Sequence, residues 1–102
     1  MESVSAASKR YLGLIHQLPC VICLNCYGRQ VRAEEAHHIE SVRGEHSDFA
    51  TVPLCQSCHA SLHGARRRPF YVAHKLDDVK LLAWTAEQVE KLLWSTGNRI
   101  AA

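Results

Sequence analysis

The stretch that decides the fold is PLCQSCHASLHG, residues 53–64, because it places two cysteines and two histidines at metal-ligand spacing. Cys55 and Cys58 have two residues between them, a spacing with which one tight turn supplies two ligands to a zinc ion. His59 and His63 stand four positions apart, so on a helix they lie on one face and can bind one ion. The stretch therefore predicts a short helix that carries metal ligands of two kinds.

A second cysteine pair stands upstream and matches the first. Cys20 and Cys23 again have two residues between them, and in a reducing compartment two such pairs favour zinc over disulfides. Cys26 forms a competing pair with Cys23. We prefer Cys20 because it directly follows Pro19 and the first predicted helix, which leaves Cys26 as a spare thiol or a partial replacement ligand. The predicted structural Zn²⁺ is held by Cys20, Cys23, Cys55 and Cys58.

The histidines form a group that is too large for the same ion. Neighbours on a helix diverge by about 100°, so Cys58 and His59 more naturally serve different ions. We therefore predict a second, open site held by His37, His59 and His63. Three protein ligands with an open coordination position are typical of a catalytic metal. An alternative with a single zinc ion stays open; its ligands would be Cys20, Cys23, His59 and His63.

His38 has a distinct place in this prediction. If His37 faces the ion, a regular strand turns His38 to the opposite face, and it reaches the same cavity only where the chain turns or bulges. A neutral imidazole near the metal could take a proton from water. Three other histidines are interpreted as ordinary surface or core residues: His16, His46 and His74.

Composition limits the class of protein. The chain has 102 residues, 47% of them hydrophobic and 22% charged, which suits one globular domain and excludes a multidomain enzyme. Its net charge of +2 is too mild to indicate a polyanion partner by itself. No basic stretch followed by an apolar run stands at the N-terminus, and no apolar run could span a bilayer. We expect a cytoplasmic protein without membrane contact.

Periodicity and breakers predict an α+β fold. Apolar spacing predicts a helix over residues 4–18, capped by Ser3 or Ser5 and ended by Pro19. Residues 20–32 look irregular. Two short strands follow, over residues 33–40 and 49–54, and then a helix over residues 56–64, for which Ser57 is the candidate cap.

The C-terminal part is predicted to be helical after a basic linker, residues 66–69. Asp77 could cap a helix with an apolar stripe, and Thr85 with Gln88 forms a capping-box pattern that would divide it in two. The stripe comprises Val79, Leu82, Ala83, Ala86, Val89, Leu92 and Leu93. We divide the single domain into an N-terminal helix (3–18), a metal-binding core (19–64) and a basic linker with a helical cover (65–102).

Together these motifs resemble the HNH endonucleases, over about residues 19–64. The likeness rests on the order Cys20-x2-Cys23, Ala36-His37-His38-Ile39, and Pro53-Leu54-Cys55-x2-Cys58-His59-x3-His63. It is nearest to small phage and prophage HNH proteins, including recombination-associated nucleases of the Ref type, and the double histidine also resembles the DNase colicins. The resemblance implies a zinc-braced ββα-metal (HNH) core of the four-cysteine subgroup, with an N-terminal helix and C-terminal helices.

The resemblance also implies roles for residues. His38 would be the general base that activates water, and His37, His59 and His63 would bind the catalytic divalent metal. Mg²⁺ or Mn²⁺ would support turnover, while Zn²⁺ or Ni²⁺ also suits histidine ligands. Many HNH proteins orient the base with an Asn in the second strand; Asp48 or Thr51 would replace it here.

The implied reaction is hydrolysis of phosphodiester bonds in DNA, double- or single-stranded, with little sequence specificity. Guanidinium groups contact phosphates well, and the candidate contacts are Arg43, Arg66, Arg67 and Arg68, with Arg29 and Arg32 on the other flank. We expect a monomer or homodimer, and a recombination or phage protein is a possible partner. Salt should weaken binding strongly.

Two rival functions remain at this stage. A non-catalytic zinc module that binds nucleic acid or a protein would explain the cysteines and arginines but not His37, His38, His59 and His63. A helical protein-interaction domain would use the apolar face of residues 79–93 as its contact surface. For that face we favour packing against the first helix, and Trp84 and Trp94 could be core anchors or a dimer surface.

Overall fold

A computed structural model describes residues 5–40 and 46–96 of the chain. It has the predicted α+β composition, with a two-stranded sheet, several helices and a cluster of four cysteines. The elements are α1 (Ala6–Ile15), α2 (Val21–Tyr27), β1 (Glu35–His38), β2 (Thr51–Leu54), α3 (Gln56–Ser61), a 3₁₀ turn (Gly64–Arg66), α4 (Arg67–His74) and α5 (Asp78–Ser95). Within these ranges no helix combines the length and apolar character needed to cross a membrane.

The first helix is close to its prediction. The hydroxyl of Ser5 accepts a hydrogen bond from the backbone N–H of Ser8 at 3.0 Å, so Ser5 is the N-cap; Ser3 lies outside the described residues. The helix ends at Ile15, and hydrogen-bonded turns lead from there to Pro19. The proline ring disfavours helical geometry at the residue before it.

The prediction of an irregular segment over residues 20–32 is wrong for its first half, which forms α2. Val21, Ile22 and Cys23 are buried in the core, and this burial outweighs the weak helix propensity of β-branched residues. Gly28 ends the helix with φ +65°, the left-handed conformation that glycine adopts without strain. Gly28 is therefore the C-cap of α2 rather than a residue of an irregular segment.

Both strands are confirmed with tighter bounds, and they pair antiparallel. In this register His37 lies opposite Val52, and His38 lies opposite Thr51. All four residues of β2 are buried, because helices cover this strand. Pro53 is tolerated because a two-stranded sheet consists of edge strands, where a missing N–H need not break a ladder.

Two corrections concern the chain around α3. The N-cap is Cys55 rather than Ser57, since the Cys55 sulfur accepts the N–H of Cys58, and the helix ends at Ser61 rather than Gly64. The predicted basic linker is helical, because the 3₁₀ turn runs directly into α4. Pro69 is accommodated in the first turn of α4, where a backbone N–H has no helical partner to lose.

The segment that follows Asp77 forms one continuous helix, α5, as far as Ser95. Asp77 caps α5 by accepting the N–H of Lys80 at 2.7 Å, as predicted. The capping-box alternative is wrong, since the buried Thr85 hydroxyl donates to the Leu81 carbonyl within the helix. The predicted apolar stripe is also displaced: Leu81 and Thr85 are buried, whereas Val79 is 76% exposed.

The core lies where α5 packs against β2 and α2, with α1 closing one side. Its buried members include Val21, Ile22, Val52, Leu54, Leu62, Leu76 and Leu81, together with the four clustered cysteines. Trp84 packs partly buried against this core, and Trp94 is 54% exposed. The C-terminal face therefore contributes mainly to packing against the hairpin and α2, and α1 is a smaller neighbour than predicted.

Candidate functional site

The four predicted cysteines converge in the core. The sulfur atoms of Cys20, Cys23, Cys55 and Cys58 all lie within 4.8 Å of one another, and all four residues are buried. The two pairs are placed alike: Cys20 and Cys55 are the N-caps of α2 and α3, and the second cysteine of each pair lies in the first turn. The matched spacing in sequence thus becomes matched geometry in the fold.

This cluster has the dimensions of a tetrahedral thiolate site. A Zn–S distance of about 2.3 Å gives S···S edges of about 3.8 Å. The sulfur of Cys23 lies 3.8 Å from that of Cys55 and 3.7 Å from that of Cys58. The four cysteines could therefore hold a metal ion such as zinc.

The four thiols do not all ionise in the absence of a bound cation. A hydrogen bond with Cys58 lowers the pKa of Cys20 to about 5, while burial and the charge of Cys20 raise the pKa of Cys23 to about 11. The pKa of Cys58 is raised as well, first by its hydrogen bond with Cys20 and then by burial. Several thiolates cannot share this buried space without a positive charge to offset them, and a divalent ion supplies it.

Cys26 lies outside the four-cysteine group. It is partly buried beside the core, and burial raises its pKa above the ordinary range. Among residues 5–40 and 46–96, the four cysteines form the one set of three or more Cys, His, Asp or Glu side chains whose ligand atoms lie close enough to hold an ion. No histidine belongs to this set. The structure therefore does not assemble the single-zinc alternative that combined the first cysteine pair with His59 and His63.

The rings of the three histidines predicted as ligands of a second ion lie near one another, but in the described part of the chain their nitrogen atoms do not form a group close enough to share one ion. The ring centroid of His37 lies 5.2 Å from that of His59 and 6.3 Å from that of His63. The Nε2 atoms of His59 and His63 are 3.2 Å apart. For two imidazoles on one tetrahedral ion, an N–metal distance of about 2.1 Å gives an edge of about 3.4 Å. This separation suits a shared ion, and it equally suits a hydrogen bond between the rings.

The helical argument for this pair needs correction. His63 lies beyond the end of α3, in extended backbone with φ −105° and ψ 143°, as the N-cap of the 3₁₀ turn. Backbone hydrogen bonds from Leu62 to His59 and from His63 to Ala60 close the intervening turn. These turns, rather than a continuous helical face, bring His63 back beside His59.

Glu35 is a neighbour of this group that sequence reasoning missed. Its carboxylate contacts Nδ1 of His59, which directs Nε2 of the same ring toward His63. A carboxylate at the second nitrogen is the usual support of a metal-binding histidine. The signal was available, since residues two apart on a strand share a face, and Glu35 stands two positions before His37.

His37 is kept neutral by its surroundings. Burial lowers its pKa to about 4, and the charges of His59 and Arg67 act in the same direction. A neutral imidazole is the form that binds metals. The environment of His37 therefore suits a ligand better than a proton carrier.

His38 leaves β1 on the opposite face from His37, because the strand pairs regularly through both residues. Its Nε2 lies 2.9 Å from Oδ1 of Asp48. The ring of His46 lies edge-on to the ring of His38, with 6.1 Å between the two ring centroids. The hydroxyl of Thr51 donates to the backbone carbonyl of Asp48 at 3.0 Å. Asp48 thus contacts the imidazole directly, whereas Thr51 holds the turn that carries Asp48.

The candidate DNA-contacting arginines have different surroundings. Arg66 and Arg68 are exposed, but Arg67 pairs with both carboxylate oxygens of Asp78 at 3.3 Å. Arg67 also lies over the ring of Tyr71, another interaction that the sequence did not reveal. Arg43 lies outside the described residues.

Comparison of the chain with protein-family models, with curated proteins and with solved structures found no match.

Proposed function

We propose that the protein is a metal-dependent endonuclease of the HNH type that hydrolyses phosphodiester bonds in DNA. The observation that carries the proposal is the approach of the His37, His59 and His63 rings on a β-hairpin and on the helix and turn that follow it, with the His38–Asp48 pair at the end of β1. The order of these residues is the one on which the resemblance to HNH nucleases rests.

His37, His59 and His63 would hold the catalytic divalent ion in this proposal. When bound, the ion would offset charge on the scissile phosphate and stabilise the leaving oxygen. Glu35 keeps Nε2 of His59 pointed toward His63, and burial lowers the pKa of His37, so His37 presents a lone pair rather than a charge. Mn²⁺ or Mg²⁺ is the proposed ion for turnover, and Zn²⁺ or Ni²⁺ would bind more tightly.

His38 would accept a proton from the attacking water. Asp48 accepts the Nε2–H hydrogen bond of His38, a tautomer that leaves Nδ1 unprotonated as the accepting atom. Because His37 and His38 leave the strand on opposite faces, the proposal requires the scissile phosphate to lie across the end of β1. His38 is the last residue of that strand.

A structural Zn²⁺ on the four cysteines would brace this small core. It would tie the N-terminus of α2 to the N-terminus of α3, from which His59 projects. Exposed Arg66 and Arg68 follow the histidine group and would contact DNA phosphates. Such contacts carry no base information, so little sequence specificity and strong salt dependence are expected.

Plasmid cleavage tests the proposal. Zinc-loaded wild type, His38→Ala and His16→Ala are each assayed with Mg²⁺ or Mn²⁺ and again with a chelator. His16 is an exposed histidine outside the site. Its variant loses an imidazole in the same way and is purified by the same procedure, so it controls for a contaminating nuclease. Loss of a general base lowers the rate by about 10²–10⁴-fold.

Metal-dependent cutting by wild type and His16→Ala, with cutting lost in His38→Ala, is the expected result. Equal cutting by all three proteins would indicate contamination or a wrong assignment of the base. No cutting by any folded, zinc-loaded protein, with DNA binding retained, would favour the non-catalytic zinc module.

A further inference from the structure

An open groove of about 670 Å³ lies between α4 and the start of α5. Its lining includes Gly64, which directly follows His63 in the chain, and Asp77 and Asp78 at the start of α5. The groove is thus joined to the histidine group through one peptide bond. Its volume is in the range of pockets that hold a small organic ligand.

One wall of the groove consists of three side chains that contact one another: Arg67, Tyr71 and Asp78. The Tyr71 hydroxyl donates to Oδ1 of Asp78 at 2.7 Å, and the Arg67 guanidinium lies 5.3 Å from the centre of the Tyr71 ring while pairing with Asp78. These three side chains thus satisfy one another. Because Arg67 lies over the Tyr71 ring while pairing with Asp78, this wall presents the guanidinium and the remaining surface of the ring together.

The remaining lining is apolar and charged. Val72 is 70% exposed and Leu76 is buried, and both are apolar. The Asp77 carboxylate also lines the groove and accepts the N–H of Lys80 as the cap of α5. Arg68 and Lys75 are exposed cations whose side chains make no ion pair within residues 5–40 and 46–96. A ligand that combines an aromatic ring with a negative group fits this lining, since rings stack on aromatic side chains and phosphates bind lysine and arginine.

We propose that this groove binds one unpaired nucleotide of the substrate strand, with its base against Val72 and the Arg67–Tyr71 pair and its phosphate near Arg68 and Lys75. The inference rests on the proposed nuclease function, because it assigns the neighbour of the scissile phosphate to the groove. The expected substrate class is DNA with a single-stranded or opened segment beside the cut, since a base within an intact duplex cannot enter the groove.

Two exposed valines give a matched test. Val72→Glu places a carboxylate in the groove, and Val79→Glu places one on the surface outside it, at a position that is 76% exposed. Both sites are exposed helical positions, so neither change disturbs the core. Binding of a short fluorescein-labelled single strand and of a matched duplex is measured by anisotropy, with zinc-loaded protein and no added Mg²⁺ or Mn²⁺.

Val72→Glu is expected to weaken single-strand binding by about tenfold, because its carboxylate repels the backbone phosphate and displaces the base from the groove. Val79→Glu should change it by about twofold or less. Equal weakening by both variants, equal effects on single strand and duplex, or no measurable single-strand binding would each overturn the inference.

The binding assay is separable from catalysis. If the groove binds single strands as expected but the plasmid assay shows no cutting, the nuclease proposal fails and the nucleotide site stands. If the protein cuts DNA while the two valine variants bind alike, the nuclease stands and the groove assignment fails.

Discussion

Replacing Cys58 by serine tests whether a zinc ion holds the fold. The change removes one of four sulfurs, 3.7 Å from Cys23, in the buried centre between α2 and α3. Structural zinc sites contribute about 10–16 kcal/mol to folding. A domain of 102 residues has a total stability of about 5–15 kcal/mol. Losing the ion therefore removes most or all of the stability.

Cys26→Ser is the matched control, because it makes the same chemical change at the cysteine outside the cluster. Zinc content of the purified proteins is measured by elemental analysis, and unfolding is followed by circular dichroism with and without a strong chelator. Wild type and Cys26→Ser should each carry zinc and unfold when it is chelated. Cys58→Ser should carry little zinc and show no cooperative transition.

Two results would refute this reasoning. Chelated wild type could keep its melting temperature within about 5 °C, a change of about 1 kcal/mol for a domain of this size. Alternatively, Cys26→Ser could lose zinc as fully as Cys58→Ser does. The first result would mean that packing alone holds α2 to α3, and the second would mean that the ligand set is wrong.

Two further predictions concern polar contacts near the histidines and the groove. Glu35→Gln should weaken Ni²⁺ or Mn²⁺ binding at the histidine group by about 10–100-fold in calorimetry of zinc-loaded protein, because His59 loses its carboxylate support, whereas an unchanged affinity would contradict that role. Tyr71→Phe should cost about 1–2 kcal/mol in urea unfolding at pH 7, by loss of the hydrogen bond to Asp78. Burial and Asp78 raise the pKa of Tyr71 above its unfolded value near 10, so this difference should shrink as pH rises past 10, and a difference that grows there would contradict the assignment.

The cysteine pairs and both strands could be predicted because their signals are local. A Cys-x2-Cys spacing and a period-2 segment each specify a structure within a few residues. The choice of Cys20 over Cys26 also followed from local context, since Pro19 fixes where the first helix must end. The structure brings together the four cysteines that this reasoning selected.

The predictions that were wrong concern segments whose structure depends on tertiary contacts rather than on local sequence. α2 forms because Val21 and Ile22 are buried against the rest of the core, which no propensity of its own segment indicates. The buried face of α5 runs through Leu81 and Thr85 because the Thr85 hydroxyl donates to the Leu81 carbonyl within the helix, so that Thr85 can be buried. A polar residue at a core position is invisible to a search for apolar periodicity. The ion pair of Arg67 with Asp78 likewise depends on how α4 meets α5.

The short helix α3 links the two candidate metal groups. Cys55 and Cys58 direct it toward the other cysteines, while the next residue, His59, leaves it about 100° away and meets Glu35 and His63. With only six residues, α3 has too few hydrogen bonds to hold its own position. The cysteine cluster therefore helps to place α3, and the contact with Glu35 then orients the ring of His59. Loss of the proposed zinc should disturb the histidine group as well, whereas substitutions among the histidines should leave the cysteine cluster intact.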